Sequence, residues 1–195
     1  MLNGSYLLNQ KETKTQDKTF NYVCNMKKHI LLFLLLLSTF AWAQTKITPT
    51  EQFTITGKIK AELKFTLADI NSYPIVAIKN VTLTNHLGEV KGNIQNIKGI
   101  ALKPLLEKIE FLTEKPKELS EFYLTFVASD GYKVVYSWNE IFNSETGNNL
   151  FIITEKDGKK LQDFDDRILT ITTTDFKTGR RYVKALDKII VGRVE

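Results

Sequence analysis

The reactive side chains of this sequence are few, and they restrict the chemistry available to its folded part. Cys24 is the only cysteine of the 195 residues, and the two histidines are His29 and His86. A domain that begins after residue 43 therefore has no thiolate nucleophile, no disulfide, no iron–sulfur cluster and no thiolate zinc site. Because it has a single histidine, it also lacks the ligands for a multi-histidine zinc site or for haem held by two histidines.

His86 is the remaining candidate for general acid–base chemistry. It lies in the string TNHLGE at residues 84–89, where Asn, Gly and a charged residue separate two strand-like runs. A Ser-His-Asp triad would have to use this residue. The pattern is more typical of an exposed turn than of a catalytic base.

Two further groups of side chains could bind a ligand. Asp163, Asp165 and Asp166 form a small acidic cluster, but a calcium loop needs more oxygen ligands at defined positions. Strand alternation would place Tyr132 and Tyr136 on one face, where they could line an apolar groove. An exposed loop for the aspartates and ordinary packing for the tyrosines are the commoner outcomes.

The N-terminal segment predicts export. Residues 26–43 combine a basic start, the apolar run Ile30–Leu37 and an Ala-x-Ala exit, which is the pattern of a secretory signal peptide. The apolar stretch at 30–43 has 14 residues, whereas a spanning helix needs about 18 to 20. A membrane anchor is the alternative, and the short apolar stretch argues against it. We therefore expect cleavage after Ala43 and a periplasmic or secreted product without stable membrane insertion.

The segment upstream of Met26 has a different character. Residues 1–25 are polar and show no periodicity, so we interpret them as a mis-annotated or disordered extension in front of the true start. Removing residues 1–43 takes away five basic and two acidic residues and leaves a net charge of +2. The charges of the remainder are interspersed, which gives no argument for binding to nucleic acid or to an anionic membrane.

Alternating and β-branched residues predict that the rest of the chain is rich in strands. The predicted strands are Gln52–Lys60, Ile75–Ile78, Val81–Thr84, Phe122–Ser129, Tyr132–Tyr136, Leu150–Thr154, Arg167–Thr172 and Tyr182–Val191. Asp130-Gly131 and Asp157-Gly158 predict two-residue hairpin turns between neighbouring strands.

Three short helices are also predicted. Thr66 with Asp69, and Ser137 with Glu140, form the pattern of a capping box at the start of a helix. Leu102, Leu105, Leu106 and Ile109 fall on one face of a helix whose first turn contains Pro104. We therefore predict a β-rich α+β domain over residues 51–195, preceded by a short tail at 44–50.

The order of these motifs resembles the oxidoreductase molybdopterin-binding domain family, which has the sulfite oxidase-type fold. The motifs that carry the resemblance are Gly57, Phe65–Ile70, Ile97–Leu102 with Leu105-Leu106, Ala128–Tyr132, Phe151–Ile153, Asp157–Leu161, Arg167–Leu169, Gly179–Lys184 and Ile189–Val191. They cover nearly the whole chain after residue 43, and their order and spacing carry the specificity. The resemblance implies mixed sheets with short helices, and a molybdopterin cofactor whose metal is held by one protein cysteine.

The sequence departs from the family at that cysteine. In the family the thiolate falls in the segment after the second main strand, which here is Lys79–Lys98 and contains no Cys. Molybdenum favours sulfur donors, and neither Asn85, His86 nor Glu89 is an equivalent ligand. The chain therefore resembles a short version of the family without the metal-ligating residue, and we expect no bound cofactor, with molybdopterin as the option that the resemblance leaves open.

Basic residues near the C-terminus match the family's phosphate-binding pattern. The resemblance makes Arg167, Arg180, Arg181 and Lys184 candidate contacts to a phosphate or other anion, and guanidinium groups suit phosphate geometry. The alternative is that Arg180-Arg181 lies in a solvated loop and that Arg167 pairs with Asp165 or Asp166. If Arg181 lines a phosphate site, Arg181→Ala is expected to leave folding intact and to weaken anion binding.

Two functions follow from these observations. The first is a secreted or periplasmic, non-catalytic binding or accessory module that contacts a protein or a small anionic ligand. The alternative is a molybdopterin-dependent oxidoreductase, or a subunit of one, with atypical metal ligation. The missing cysteine and the single histidine favour the first.

Overall fold

The computed structural model describes residues 46–85 and 87–195. The predictions for residues 1–25, for the signal peptide at 26–43 and for His86 lie outside these residues. The described part consists mostly of strands with a few short helices, which confirms the predicted β-rich α+β class. Within it, no helix has the length and apolar character that crossing a membrane requires.

The strands and helices are short and follow one another closely. The strands are β1 (Gln52–Gly57), β2 (Leu63–Thr66), β3 (Val76–Ile78), β4 (Val81–Thr84), β5 (Val90–Ile94), β6 (Ile97–Ala101), β7 (Phe122–Ala128), β8 (Lys133–Ser137), β9 (Leu150–Lys156), β10 (Lys159–Lys160), β11 (Leu169–Thr172) and β12 (Leu186–Arg193). The α-helices are α1 (Leu67–Asn71), α2 (Lys103–Leu106), α3 (Trp138–Phe142) and α4 (Glu145–Asn148). Three 3₁₀-helices are η1 (Pro116–Glu121), η2 (Leu161–Asp163) and η3 (Thr178–Arg181).

The first sheet has the strand order β2-β1-β12-β7-β8. The β1–β12 pair is parallel, and the other three pairs are antiparallel. Alternate residues such as Phe53, Ile55 and Phe126 are fully buried, because successive side chains of a strand point to opposite faces. This sheet therefore gives one face to the core.

A second sheet supplies the other side of the core. Its order is β10-β9-β6-β3, and β11 also pairs with β9. Each residue of β11 is buried, and Ile152 and Ile153 of β9 are both fully buried. The hairpin β4–β5 forms a separate two-stranded sheet, so the domain consists of two larger sheets and one projecting hairpin.

The predicted helix starts are confirmed. Thr66 and Asp69 form a capping box at α1, and Ser137 and Glu140 form one at α3. Each box satisfies backbone N–H groups that have no partner within the helix. Both short helices are therefore fixed at their N-termini by their own side chains.

Helix α2 is shorter than its apolar pattern predicts. The four predicted face residues Leu102, Leu105, Leu106 and Ile109 are all buried. From Lys108 onward, however, backbone N–H groups bond three residues back, as in Ile109 N to Leu106 O. The chain thus leaves the α-helix for a tighter turn while it keeps the same side chains in the core.

The two predicted hairpin turns differ in length. Asp157 and Gly158 both have positive φ angles, of 49° and 78°, and they form the predicted two-residue turn. The β7–β8 connection instead has three residues, because Ala128 still pairs with Tyr132. The prediction of a two-residue turn at Asp130-Gly131 was therefore wrong by one residue, and Gly131 provides the positive φ of a three-residue loop.

The last predicted strand begins later than expected. The pattern predicted one strand over Tyr182–Val191, whereas β12 covers Leu186–Arg193. Ala185 has a φ of 49° and stands just before the strand, which ends any extended run. Val183 forms an isolated bridge to Thr170. Its neighbours Tyr182 and Lys184 line a cavity that is described below.

Candidate ligand-binding site

An open cavity lies where the hairpin β4–β5, the β7–β8 turn and η3 meet. Its volume is about 590 Å³. We call it the basic cavity because Arg180 and Lys184, two of the four predicted anion contacts, line it. Its other walls include Asn85, Asp130, Tyr132 and Tyr182.

Threonine and glycine contacts hold η3 against β4 and so position Arg180. The Thr178 hydroxyl donates to the carbonyl oxygen of Thr82 and accepts from the backbone N–H of Thr84, at 2.5 and 3.2 Å. Gly179 packs directly on the carbonyl oxygen of Thr84, where a Cβ would collide. This backbone packing explains why glycine precedes Arg180.

The β7–β8 hairpin fixes the same segment from the other side. The Tyr132 hydroxyl donates to the carbonyl oxygen of Arg180 at 2.6 Å. The Asp130 side chain accepts the backbone N–H of Tyr132 at 2.9 Å, as aspartate often does in turns. Tyr132 is therefore a positioning residue of the cavity, whereas Tyr136, which strand alternation placed on the same face, is fully buried in the core.

The Arg180 guanidinium is exposed. Among residues 46–85 and 87–195, no carboxylate forms an ion pair with it. Arginine stays protonated at any physiological pH. The basic cavity therefore presents one uncompensated positive charge with hydrogen-bond donors to offer.

Lys184 carries the second charge of the cavity, but an acid already compensates it. Its ammonium lies 3.2 Å from one oxygen of Asp166, and Lys156 lies 3.5 Å from the other oxygen. Lys156 also donates to the Tyr182 hydroxyl at 3.3 Å. One carboxylate between two ammonium groups leaves a net positive charge at this place.

The environment of Tyr182 keeps its hydroxyl protonated. Burial, and then the charges of Asp166 and Asp157, raise the pKa of Tyr182 above its ordinary value. A neutral phenol can accept the hydrogen bond of Lys156. Tyr182 is thus a wall of the cavity and not a source of negative charge.

Arg181 faces away from the basic cavity into a set of carboxylates. Two of its nitrogens bond to Asp175, and a third lies 2.9 Å from Glu140. Its guanidinium also stacks on the buried ring of Tyr136, 4.7 Å from the ring centroid. Three of its five guanidinium N–H groups are used in these contacts, which gives Arg181 a structural role, while its predicted contact to an anion stays a prediction.

Titration of this cluster follows from the same contacts. Hydrogen bonding to Asp175 raises the pKa of Arg181. Burial opposes ionisation of Glu140, yet the hydrogen bonds from Ser137 and the charge of Arg181 lower the pKa of that carboxyl. Arg181 and Glu140 are therefore both ionised in the physiological range.

Arg167 also lies apart from the basic cavity. Its guanidinium pairs with Glu51 at 2.9 Å and donates to the carbonyl oxygen of Gln162 at 3.0 Å. The sequence suggested Asp165 or Asp166 as its partner, and this was wrong because Asp166 is used by the two lysines. Of the four predicted anion contacts, Arg180 and Lys184 line the basic cavity, and Arg180 and Arg181 line a neighbouring one.

The donor groups of the described residues decide which metals they could hold. The described residues contain no group of three or more His, Cys, Asp or Glu side chains that could hold a metal ion. Amide, carboxylate, guanidinium and ammonium groups line the basic cavity, and no cysteine follows Cys24 in the sequence. These donors do not fit molybdenum held by a protein thiolate, since that metal favours sulfur ligands.

Comparisons with known proteins support the fold. No protein-family model matches the sequence, and no curated protein matches it. Solved structures do match, among them the sulfane dehydrogenase SoxCD from Paracoccus pantotrophus, with a TM-score of 0.53 and 13% sequence identity. The match covers 72% of this chain and 37% of that one, so the chain corresponds to little more than a third of the neighbour.

The fold prediction is confirmed by this similarity. The protein has a mixed α+β fold of the sulfite oxidase type, at a remote level of similarity. An identity of 13% supports the fold alone, because one fold serves many functions. Function must therefore be argued from the residues of the site.

Proposed function

We propose that this chain is a non-catalytic binding domain on a sulfite oxidase-type scaffold, and that it binds an anionic group in the basic cavity. The observation that carries the proposal is Arg180, which lines the cavity and has no carboxylate partner in the described residues. A guanidinium offers paired N–H donors to a carboxylate or phosphate. Lys184 lines the same cavity and shares the carboxylate of Asp166 with Lys156.

The other walls restrict the ligand further. Asp130 lines the cavity with a carboxylate, and Asn85 with an amide. A ligand with several closely spaced negative charges would be repelled by Asp130. We infer that one anionic group lies at Arg180, next to hydrogen-bonding groups that reach the Asp130 side.

Absence of catalysis is proposed from the chemistry of the available side chains. The walls of the basic cavity offer hard nitrogen and oxygen donors, and the sequence lacks a thiolate after residue 24. The alternative of a molybdopterin-dependent oxidoreductase with atypical ligation makes a direct prediction. Near-stoichiometric molybdenum and pterin in residues 44–195, exported natively by a host that makes the cofactor, would contradict our proposal.

Export to the periplasm or the medium is proposed from residues 26–43. The experiment is mass spectrometry of the protein recovered from an expressing bacterium after fractionation. We expect a mature N-terminus at Gln44 in the exported fraction. Retention of Met26 or of residues 1–25 in that fraction would contradict signal cleavage.

The binding proposal is tested with simple anions. Titration calorimetry with inorganic phosphate, citrate and acetate measures the affinity of the wild type and of Arg180→Gln. Losing a charge-assisted pair should weaken binding about five- to tenfold. Lys64→Gln is the matched control, because Lys64 is exposed on β2 and does not line the cavity.

Two outcomes would retire the binding proposal. The first is that Arg180→Gln binds each of the three anions with the same affinity as the wild type. The second is an equal loss in Arg180→Gln and Lys64→Gln, since this would indicate a general effect of net charge.

A further inference from the structure

The basic cavity is one of four open cavities that adjoin one another. A second cavity of about 780 Å³ shares Lys184 and Ile47 with it. On the other side, a third cavity of about 660 Å³ shares Arg180. The third and a fourth cavity of about 610 Å³ share Phe176 and Thr174. We call this series of neighbouring cavities the groove.

One end of the groove is positively charged. Lys46, Lys156 and Lys159 line the second cavity together with Lys184. Asp166 is occupied by two of these lysines, and Asp157 accepts the backbone N–H of Gln95.

The ammonium groups of Lys46 and Lys159 have no carboxylate partner within the described part of the chain. Together with Arg180 they make three unpaired cations along the second and basic cavities. The carboxylates of Asp165 and Asp130 face the same two cavities, so positive charge predominates by one. This end of the groove complements a ligand with spaced negative charges.

The other end combines apolar side chains with charged ones, among them Lys79 in the fourth cavity and Asp175 and Arg181 in the third. Phe176 is fully exposed, with a relative accessibility of 103%. It stands between the third and fourth cavities. Apolar side chains and threonine hydroxyls, among them Ile78, Phe151 and Thr173, line the fourth cavity.

The fourth cavity also reaches a strand at the edge of a sheet. Ala77 and Ile78 of β3 line the fourth cavity, and β3 is the last strand of its sheet. Val76 of the same strand is 43% exposed. A strand at the edge of a sheet presents free backbone groups that pair readily with another extended chain.

We propose that the groove binds an extended, acidic segment of a partner protein. Carboxylates of the segment lie along Lys159, Lys184 and Arg180, and an apolar side chain packs on Phe176. Beyond Phe176 the segment runs toward the free edge of β3. This inference rests on the proposed anion site at Arg180 and extends it to a macromolecular ligand.

The polarity of the groove selects a peptide over other elongated ligands. A uniformly charged polymer, such as a sulfated glycan, would gain nothing from Phe176 or from the apolar side chains of the fourth cavity. A small anion would occupy one cavity and leave the others unused. A polypeptide combines carboxylates, apolar side chains and pairing backbone groups in one chain.

The experiment uses fluorescein-labelled synthetic peptides of about a dozen residues, since an extended chain spans roughly 3.3 Å per residue. One half of the peptide is rich in Glu and Asp, and the other half alternates Thr with Val and Phe. Both orders of the two halves are measured by fluorescence anisotropy against residues 44–195. Peptides with Lys in place of Glu, peptides with Ser in place of Val and Phe, and heparin serve as comparison probes.

We expect at least one order of the acidic–apolar peptide to bind more tightly than every comparison probe. Phe176→Ala should weaken this binding about fivefold or more, and Lys159→Ala should weaken it while reducing its salt dependence. Val135→Ala is the matched control for Phe176, because Val135 is an exposed apolar residue on β8 outside the groove. Circular dichroism melts verify that each variant is folded. Because Phe176 is fully exposed, its replacement should cost little stability.

The outcomes separate the two proposals. If phosphate binding depends on Arg180 but no peptide binds, or if Phe176→Ala binds peptides as the wild type does, the peptide groove is wrong and the anion site stands. If heparin binds most tightly and Phe176→Ala has no effect, the groove is likewise wrong. If Arg180→Gln changes neither phosphate nor peptide binding, the anion site itself is wrong, and the groove that rests on it is withdrawn as well.

Discussion

Arg180 and Arg181 are adjacent in sequence, and the structure predicts opposite effects for their replacement. Arg181 is mostly buried, with 21% of its side chain exposed, and its partner Asp175 is 11% exposed. Arg180 is exposed and lines the basic cavity. The pair therefore tests whether a basic residue of this segment stabilises the fold or binds a ligand.

The cost of Arg181→Ala follows from its contacts. The substitution removes three hydrogen bonds to ionised groups and leaves Asp175 without its cation. Breaking a fully buried ion pair costs about 3–5 kcal/mol, and partial exposure of Arg181 reduces this through solvent screening. We expect a loss of about 2–3 kcal/mol in the free energy of unfolding, which for a domain of about 150 residues lowers Tm by roughly 5–10 °C.

Thermal melts followed by circular dichroism measure this effect. Arg180→Ala should change the free energy of unfolding by less than about 0.5 kcal/mol, while it weakens anion binding. A double-mutant cycle with Asp175→Asn should show that the two losses are not additive. The reasoning is refuted if Arg181→Ala melts within about 1 °C of the wild type, or if Arg181→Ala weakens phosphate binding without destabilising the protein.

Two further predictions concern stability. Hydrogen bonds from Thr113 and Lys115, followed by Arg193, lower the pKa of Glu118 to about 2, so its contribution to stability is present above the ordinary glutamate pKa and is lost as the pH falls toward 2. The Tm difference between the wild type and Glu118→Gln should therefore be largest above about pH 5 and should vanish near pH 2, and a difference that does not change with pH would contradict this explanation. Gly179→Ala should cost about 1–3 kcal/mol because its Cβ would meet the carbonyl oxygen of Thr84. Gly92→Ala, which meets no atom within 4 Å, is the control, and equal melting of both variants would show that η3 can move away from β4.

Local signals in the sequence were sufficient for most strands and helix starts. The capping boxes at Thr66 and Ser137 and the turn at Asp157-Gly158 depend on residues within four positions of one another. Contacts of this range are encoded in short stretches of sequence. The predicted start of β12 failed because the positive φ of Ala185 has no signature in its residue type.

The site was less accessible to sequence reasoning. Arg167, Arg180, Arg181 and Lys184 look alike as a basic cluster, yet three of them pair with acids, and among these acids Asp175 alone lies close in sequence to its partner. Glu51 is 116 positions from Arg167, and Glu140 is 41 positions from Arg181. Which cations remain unpaired is decided by tertiary packing, and sequence patterns do not report it.

The position of β12 in the first sheet has a consequence for how the chain folds. β12 is the last strand of the described residues, and it lies between β1 and β7. Until β12 is available, β1–β2 and β7–β8 are two separate hairpins, each with an exposed edge that can pair with another molecule. We expect the nascent chain to remain aggregation-prone until residues 186–193 have emerged, and closure of the β1–β12 pair, across more than 130 positions, to be a late and slow folding event.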